Sequence, residues 1–219
     1  MKSIIRTTLL LIIILGGCKY DTAERVNKEF NKEYLKTRSM FDSSLVTIFP
    51  FYVHSSYSRI RGYTLGSYEY YRFNGMILEV SYSDSLARSL INCEHKAAYS
   101  SQDSNLLIVG RLGESTLERY REFGKNYSWS KSKGYIPVPN FYEHNYPIGT
   151  HPGITDPLNN RLPEGYTIYV VDASPGIYIK KEWLTEGLGL PPEWKNGYSR
   201  GYAISSDTTK NIIYWLAIW

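Results

Sequence analysis

Residues 201–219 have the sequence GYAISSDTTKNIIYWLAIW, which predicts a β-hairpin. The first arm runs from Gly201 to Ser205, a polar turn passes through Asp207 and Lys210, and the second arm runs from Ile212 to Trp219. The second arm is apolar almost throughout. Because a bare apolar edge invites pairing with other chains, we expect this arm to lie in the middle of a sheet or to be covered.

Three further runs predict strands. Residues 165–176, GYTIYVVDASPG, favour a buried strand that ends in a turn, and residues 105–109, NLLIV, favour a short buried strand. Leu45 to Val53 is rich in Val, Ile and Phe and favours another strand, in which Pro50 marks a bulge or an edge.

A second hairpin is predicted at Asn74-Gly75, which separates GSYEYYRF (66–73) from MILEVSYS (76–83). Asn-Gly is favoured in two-residue hairpin turns because both turn positions need positive φ.

Helical periodicity appears in three segments. The first extends from Thr22 to about Met40, and the last from Glu114 to Phe123. The middle one, which Ser83 or Asp84 would cap, has one apolar face made by Leu86, Leu90, Cys93 and Ala97.

Together these elements predict an α+β fold with a mainly antiparallel sheet of about five to seven strands and two or three helices. We expect residues 22–219 to form one domain. The first helix could pack on the sheet or act as a stiff spacer, and the sequence leaves both open.

The amino terminus has the pattern of an export signal. Lys2 and Arg6 are followed by an unbroken Leu/Ile run from Leu9 to Leu15, which is too short to span a bilayer as a helix. The run ends at Leu15-Gly16-Gly17-Cys18, which resembles the lipobox of bacterial lipoproteins.

This resemblance implies that residues 1–17 are removed and that Cys18 is lipidated, with residues 18–21 as the lipid-bearing amino terminus and a short tether. Diacylglyceryl and palmitate-type chains would hold the protein on a membrane, since two or more acyl chains anchor firmly. Lys19 stands where Asp favours inner-membrane retention in this class, so we expect the outer membrane, on its periplasmic or outer surface.

The net charge and the cysteine content bear on nucleic-acid binding and on disulfide formation. Loss of Lys2 and Arg6 would lower the net charge from +4 to about +2, and the basic residues are scattered, so we expect no nucleic-acid partner. With Cys18 lipidated, Cys93 has no partner for a disulfide within the chain. We expect Cys93 to be a buried core thiol.

No catalytic motif is apparent. The chain contains no nucleophile elbow and no phosphate-binding glycine loop. The Pro- and Gly-rich stretch 135–165 holds the densest cluster of polar residues. The spacing of its His, Glu and Asp residues matches no known metal-binding motif, so we expect neither a metal ion nor a cofactor. The cluster consists of Glu143, His144, His151 and Asp156. The two carboxylates of a glycoside hydrolase meet in space and have no fixed spacing in the sequence, so such a pair cannot be recognised from a motif. The candidates for such a pair are Glu69, Glu79, Glu143, Asp156 and Asp172.

Tyrosine dominates the aromatic residues, with 21 Tyr against 7 Phe. Such a composition fits either a Tyr-rich sheet or a binding surface, because Tyr combines an apolar body with a polar tip. The candidate binding residues lie in or beside the 135–165 stretch and before the last hairpin. They are Trp129, Tyr135, Phe141, Tyr142, Tyr146, Trp194 and Tyr198.

The sequence therefore favours a lipid-anchored envelope protein that is not an enzyme. Its aromatic-rich loops would bind a protein or glycan, or serve as a scaffold. An envelope hydrolase acting on glycan or peptidoglycan and an immunity or inhibitor lipoprotein are the alternatives. The sequence does not indicate an oligomeric state.

Overall fold

The computed structural model describes residues 24–64, 74–109, 132–139, 141, 162–184 and 190–219. The predicted export signal, the lipobox and the predicted helix 114–123 lie outside these residues. Helix α1 covers residues 24–38 and helix α2 covers Asp84–Ile91. The strands are β1 Ser58–Thr64, β2 Asn74–Val80, β3 Ala97–Ser100, β4 Ile108–Val109, β5 Val138–Pro139, β6 Tyr166–Pro175, β7 Gly197–Ser205 and β8 Ile212–Ile218.

Six of these strands form one sheet in the order β1-β2-β8-β7-β6-β3, and every neighbouring pair is antiparallel. Strands β4 and β5 form a separate two-stranded parallel pair. The predicted α+β class with a mainly antiparallel sheet is confirmed. The predicted hairpin of residues 201–219 is confirmed as well, with its first arm beginning earlier, at Gly197.

Strand β8 lies inside the sheet, and both of its faces are covered, as its composition predicts. Ile212, Tyr214, Leu216 and Ile218 face the layer that contains α1 and α2. Ile213 and Trp215 face a second core, to which β4 and β5 contribute. A strand buried on both faces has no polar side to present, so its sequence is apolar without alternation.

Helix α1 packs on the sheet, which answers the question that the sequence left open. Tyr34 is fully buried in the core on this face. Asn31 bonds the backbone of Val53 through both of its side-chain polar atoms, and the Asn27 Oδ1 accepts a hydrogen bond from Ser55 N at 2.9 Å. These bonds fix the segment after Pro50 against the helix.

The predicted strand from Leu45 to Val53 is wrong. The segment forms turns, in which Leu45 N donates to Asp42 O at 3.0 Å and Phe49 N donates to Val46 O at 3.2 Å. Leu45, Val46, Phe49 and Val53 are nevertheless buried, and the Phe49 ring lies 6.1 Å from the Tyr214 ring. Phe51 and Tyr52 are exposed. The segment is rich in Val, Ile and Phe because part of it is buried. Buried turns and buried strands share this composition, so the composition alone does not indicate a strand.

The predicted turn at Asn74-Gly75 is also wrong, because both residues belong to β2. Gly75 pairs with Thr64 on one side and with Ala217 on the other. The hairpin of β1 and β2 exists, but its connection falls at residues 65–73, outside the described residues. Asn74 uses its side chain to donate to Trp183 O at 3.0 Å, so its role is to hold a neighbouring segment.

Cys93 is exposed, which contradicts the predicted core thiol. Helix α2 begins after its N-cap Ser83 and ends at Ile91, so Cys93 and Ala97 do not continue its apolar face. Cys93 lies in the turn that follows, and His95 Nδ1 lies 3.0 Å from Cys93 O.

The opposite face of the sheet carries the β4–β5 pair. Tyr99 of β3 stacks on Tyr135 with ring centroids 4.9 Å apart, and the Tyr99 hydroxyl accepts a hydrogen bond from Ile136 N. The predicted short strand at 105–109 is present as β4, with Leu106 and Leu107 buried just before it. Within the described residues, no helix combines the length and the apolar character needed to cross a membrane.

Candidate functional site

The seven aromatic residues that the sequence suggested for binding differ in their location and burial. Trp129, Tyr142 and Tyr146 lie outside the described residues. Phe141 is buried edge-on against Trp215, and Trp194 is half-buried with its ring 6.0 Å from that of Trp219. These two side chains hold loops to the core.

The other two candidates differ in their surroundings. Tyr135 is half-buried and donates a hydrogen bond to Asp103 Oδ2 at 2.8 Å. Tyr198 is mostly buried on the helical face of the sheet, and its ring forms part of the groove described below.

The polar candidates of the 135–165 stretch, Glu143, His144, His151 and Asp156, lie outside the described residues, as does Glu69. Among the residues that the structure describes, no group of three or more His, Cys, Asp or Glu side chains could hold a metal ion. Glu79 is buried in β2.

Asp172 is the centre of a polar cluster on β6 and β7. Its carboxylate receives Lys96 Nζ at 2.7 Å, Arg200 Nη2 at 3.1 Å and the Tyr198 hydroxyl at 2.5 Å. Burial raises the pKa of Asp172, but the hydrogen bonds from Lys96 and Tyr198 and the charges of Lys96 and Arg200 outweigh it and lower the pKa below its usual value. The carboxylate is therefore anionic at neutral pH and fully engaged.

Arg200 connects this cluster to the turn that follows α1. Besides Asp172, its guanidinium donates to Ser44 O and, at 2.8 Å, to Thr47 Oγ1. The register of β6 and β7 shifts between Val170 and Asp172, a bulge that sets Asp172 opposite Arg200. One arginine thus holds a loop and two strands in a fixed arrangement.

A groove of about 660 Å³ lies beside this cluster, and we call it the distal groove. One wall is the turn after α1, the other is the segment after β6, and the floor comes from β7 and β8. Its lining residues are Met40, Phe41, Asp42, Ser44, Leu45, Ile177, Tyr178, Ile179, Lys180, Trp183, Tyr198 and Ile218.

Apolar side chains are exposed at the mouth of the distal groove. Met40 is 37% exposed, Ile177 63% and Tyr178 36%. Lys180 Nζ lies 4.7 Å from the centre of the Trp183 ring, so a cation covers one face of this indole. The mouth therefore offers apolar contact area next to a positive charge.

The polar groups of the groove are tied into local structure. Asp42 Oδ1 accepts hydrogen bonds from the hydroxyl and the backbone N–H of Ser44, and these bonds lower the Asp42 pKa. Burial and the hydrogen bond to Asp172 raise the pKa of Tyr198 to about 12, so its hydroxyl stays neutral. The Tyr178 ring meets the Tyr198 ring edge-on at 4.5 Å. This chemistry suits binding more than proton transfer.

The distal groove and the start of α1 lie at opposite ends of the sheet. Strand β8 runs from Ile212, which pairs with Val80, to Ile218, which lines the groove. At the Val80 end, Ser81 N donates to Tyr57 O, and the segment 52–55 contacts the first turn of α1. Seven residues of strand separate these ends by about 20 Å.

Sequence reasoning pointed to Tyr198 but missed the rest of the groove. Met40, Ile177 and Tyr178 come from two segments far apart in the chain, and no spacing rule connects them. The predicted turn at the end of β6 was the local sequence feature that belongs to the groove. Gly176, at φ 138°, turns the chain so that the Tyr178 ring contacts the Tyr198 ring. Searches against protein families, curated proteins and solved structures give no match to this chain.

Proposed function

We propose that this chain is a lipid-anchored envelope lipoprotein that binds an extended segment of a partner protein in the distal groove and has no enzymatic activity. The observation that carries the proposal is the groove itself, with Met40, Ile177 and Tyr178 exposed at its mouth. The resemblance of residues 15–18 to a lipobox supports the anchor, and we place the protein in the outer membrane.

A protein ligand fits the lining better than a glycan does. Glycan sites present open aromatic faces, whereas Lys180 covers one face of Trp183 and the Tyr178 ring packs edge-on against Tyr198. Met and Tyr next to aliphatic side chains are typical of the centres of protein interfaces. The groove volume suits a few side chains of an extended peptide.

The titratable groups around the groove support binding over catalysis. Asp172 is neutralised by two cations, and Asp42 is held in its own turn. A general acid or base needs a pKa near the working pH and access to the substrate. Tyr198, with its pKa raised to about 12, and Asp172, with its pKa lowered, are both far from that range.

The position of the groove also supports the proposal. A lipid on Cys18 would tether the end of the molecule where α1 begins, and the groove opens at the other end of the sheet. A partner could then reach the groove without meeting the membrane.

Site-specific photocrosslinking in the intact envelope tests the proposal. A benzophenone amino acid replaces Ile177 in the full chain, and a matched variant carries it in place of Ile91, which is also exposed but lies at the end of α2. We expect a discrete protein adduct from position 177 and none of the same mass from position 91.

A second substitution ties the adduct to the groove. Tyr178→Ser should reduce the adduct from position 177 several-fold, since it removes the exposed ring beside Tyr198. The same adducts from both positions, or an adduct that Tyr178→Ser leaves unchanged, would contradict the proposal.

A further inference from the structure

We propose that three exposed aromatic side chains, Phe51, Tyr52 and Tyr57, rest on the bilayer to which the chain is anchored. We call them the aromatic patch. The inference rests on the lipid anchor of the proposed function, and it adds a defined membrane-facing surface and hence an orientation of the whole domain.

All three aromatic side chains of the patch are exposed. Phe51 is 80% exposed, Tyr52 61% and Tyr57 64%, and Val26 nearby on α1 is 52% exposed. By contrast, the tyrosines of the sheet core, such as Tyr202 and Tyr214, are buried. Exposed aromatic rings with an apolar body and a polar tip prefer the headgroup level of a membrane.

Part of the patch contacts the helix that begins a few residues after Cys18. Tyr52 contacts Asn27 through its hydroxyl, and Asn27 Oδ1 also holds Ser55, so Tyr52 lies beside the first turns of α1. Phe51 lies further along the helix, beside Arg38. Only residues 19–23 separate Cys18 from residue 24, and a fully extended chain of that length reaches at most about 20 Å. A lipid on Cys18 therefore keeps the Tyr52 end of the patch within one short tether of the bilayer.

The helix beside the patch carries a positive net charge. Helix α1 carries five basic and three acidic residues, and Arg25, Lys28 and Lys32 are exposed on it. Arg38 lies 5.9 Å from the centre of the Phe51 ring. A modest positive balance beside the aromatic rings is complementary to anionic headgroups.

The size of the patch favours a lipid surface over a second copy of the chain. Three aromatic side chains at these exposures offer roughly 300–500 Å², well below the ~800 Å² per partner of a standard protein interface. A lipid surface has no such minimum, because the acyl chains already provide the anchoring free energy.

Spin-label accessibility measures the contact directly. The full-length lipidated protein carries Cys93→Ser, so that an introduced cysteine is the only free thiol, and it is reconstituted into phosphatidylethanolamine–phosphatidylglycerol vesicles. Labels are placed through Phe51→Cys and Tyr57→Cys, with Ile177→Cys as the matched exposed control in the distal groove. Collision rates with oxygen, which enters bilayers, and with a water-soluble nickel chelate are compared.

We expect a several-fold higher oxygen-to-nickel ratio at positions 51 and 57 than at position 177. Equal ratios at the three positions, in protein that floats with the vesicles, would overturn the inference and leave the anchor intact. Protein that does not float would instead overturn the anchor, so the two failures are distinguishable. Spin–spin broadening at position 51 in vesicles and detergent alike would show a contact between copies and overturn the inference.

A fluorescence measurement without introduced cysteines checks the same surface. Phe51→Trp and the control Ile177→Trp are compared in vesicles whose lipids carry brominated acyl chains. We expect additional quenching, relative to the parent protein, only for Phe51→Trp. Equal quenching of the two variants would again overturn the membrane contact.

Discussion

Glycine at position 75 allows two strands to pack without any side chain between them. A Cβ atom at Gly75 would lie 1.9 Å from Leu216 O, and a Cβ atom at Gly201 would lie equally close to Tyr169 O. Neither neighbour is a flexible side-chain end, so the backbone itself would have to move. Both positions are therefore fixed by tertiary packing on the central strands.

We predict that Gly75→Ala destabilises the domain by about 3 kcal/mol or more, because the overpacking is against backbone. Gly134→Ala is the control, since a Cβ there meets nothing within 4 Å and costs only the strain of φ +85°. Urea unfolding curves of both variants measure the difference. A Gly75→Ala variant as stable as Gly134→Ala would show that β2 and β8 are not packed this closely.

Asp172 makes stability depend on pH. Its folded-state pKa is lowered, so its contribution is present above the usual carboxyl pKa of about 3.9 and is lost as the pH falls through the folded-state value. Asp172→Asn should therefore lower the free energy of unfolding by about 1–3 kcal/mol at pH 7, and by progressively less below pH 4. Denaturant unfolding at several pH values measures this.

A matched control separates the cluster from net charge. Glu193→Gln also removes one carboxylate, from an exposed position away from Lys96 and Arg200. We expect it to leave the free energy of unfolding almost unchanged at pH 7. Equal effects of the two variants would mean that the Asp172 contacts contribute nothing specific.

The exposure of Cys93 shows what residue patterns omit. Spacing placed Cys93 on the apolar face of α2, and the spacing is correct for an unbroken helix. The helix stops at Ile91, and a pattern of apolar residues does not fix a helix end when no glycine or proline marks it. The apolar spacing correctly assigned Leu86 and Leu90 to the buried face of α2, where they pack against the core. It was wrong for Cys93, which lies two residues beyond the end of the helix.

At the scale of elements, the hairpin of β7 and β8 was predictable because pattern and turn chemistry agree. The apolar run of β8 has no polar face, and the polar turn contains Asp207, whose Oδ1 accepts a hydrogen bond from Thr209 N at 2.9 Å. At Asn74-Gly75 the two signals conflict. Both residues pair with β8 instead of forming a turn. Glycine is also found where two strands approach closely, and Gly75 occupies such a position.

Trp219 fastens the end of the β8 arm to its neighbours. It is fully buried, its Nε1 donates to Trp194 O at 2.7 Å, and its backbone exchanges two hydrogen bonds with Gly197. We predict that Trp219→Ala lowers the free energy of unfolding by about 3–5 kcal/mol. Calorimetric melting, together with denaturant unfolding, measures the loss.

Trp183→Ala is the matched comparison, since it truncates the same side-chain type in the half-buried wall of the distal groove. We expect a change of about 1 kcal/mol or less, because the backbone carbonyl that Asn74 holds is retained. Similar losses in the two variants would place Trp183 in the core and weaken the case for an accessible groove.

At the scale of the molecule, the fold class was predictable and the candidate site was not. Apolar runs and turns define strands locally, and two covered faces follow from the composition of β8. The distal groove needs residues near 40, near 178, and from both β7 and β8 to meet. Long-range contacts of this kind leave no local pattern, and the aromatic residues that the sequence did highlight include Phe141 and Trp194, which pack loops against the core.

The arrangement of the two ends gives the molecule a direction. Strand β8 and helix α1 both extend between the end where α1 begins, beside Tyr52, and the end that holds the distal groove. A short tether at the first end and a binding site at the second are consistent with one another. The proposed tether, unlike the groove, would depend on a single atom, the sulfur of Cys18.

We therefore predict that Cys18→Ser abolishes flotation of the protein with membrane vesicles and incorporation of labelled palmitate. Each acyl methylene contributes about 0.8 kcal/mol to membrane binding, and three exposed aromatic side chains are too few to replace two or three acyl chains. Cys93→Ser is the matched control, because it removes the other thiol from an exposed turn outside the core. It should float and incorporate palmitate as the parent does. A Cys18→Ser protein that is processed and floats normally would refute the anchor, and with it the orientation that places the groove away from the membrane.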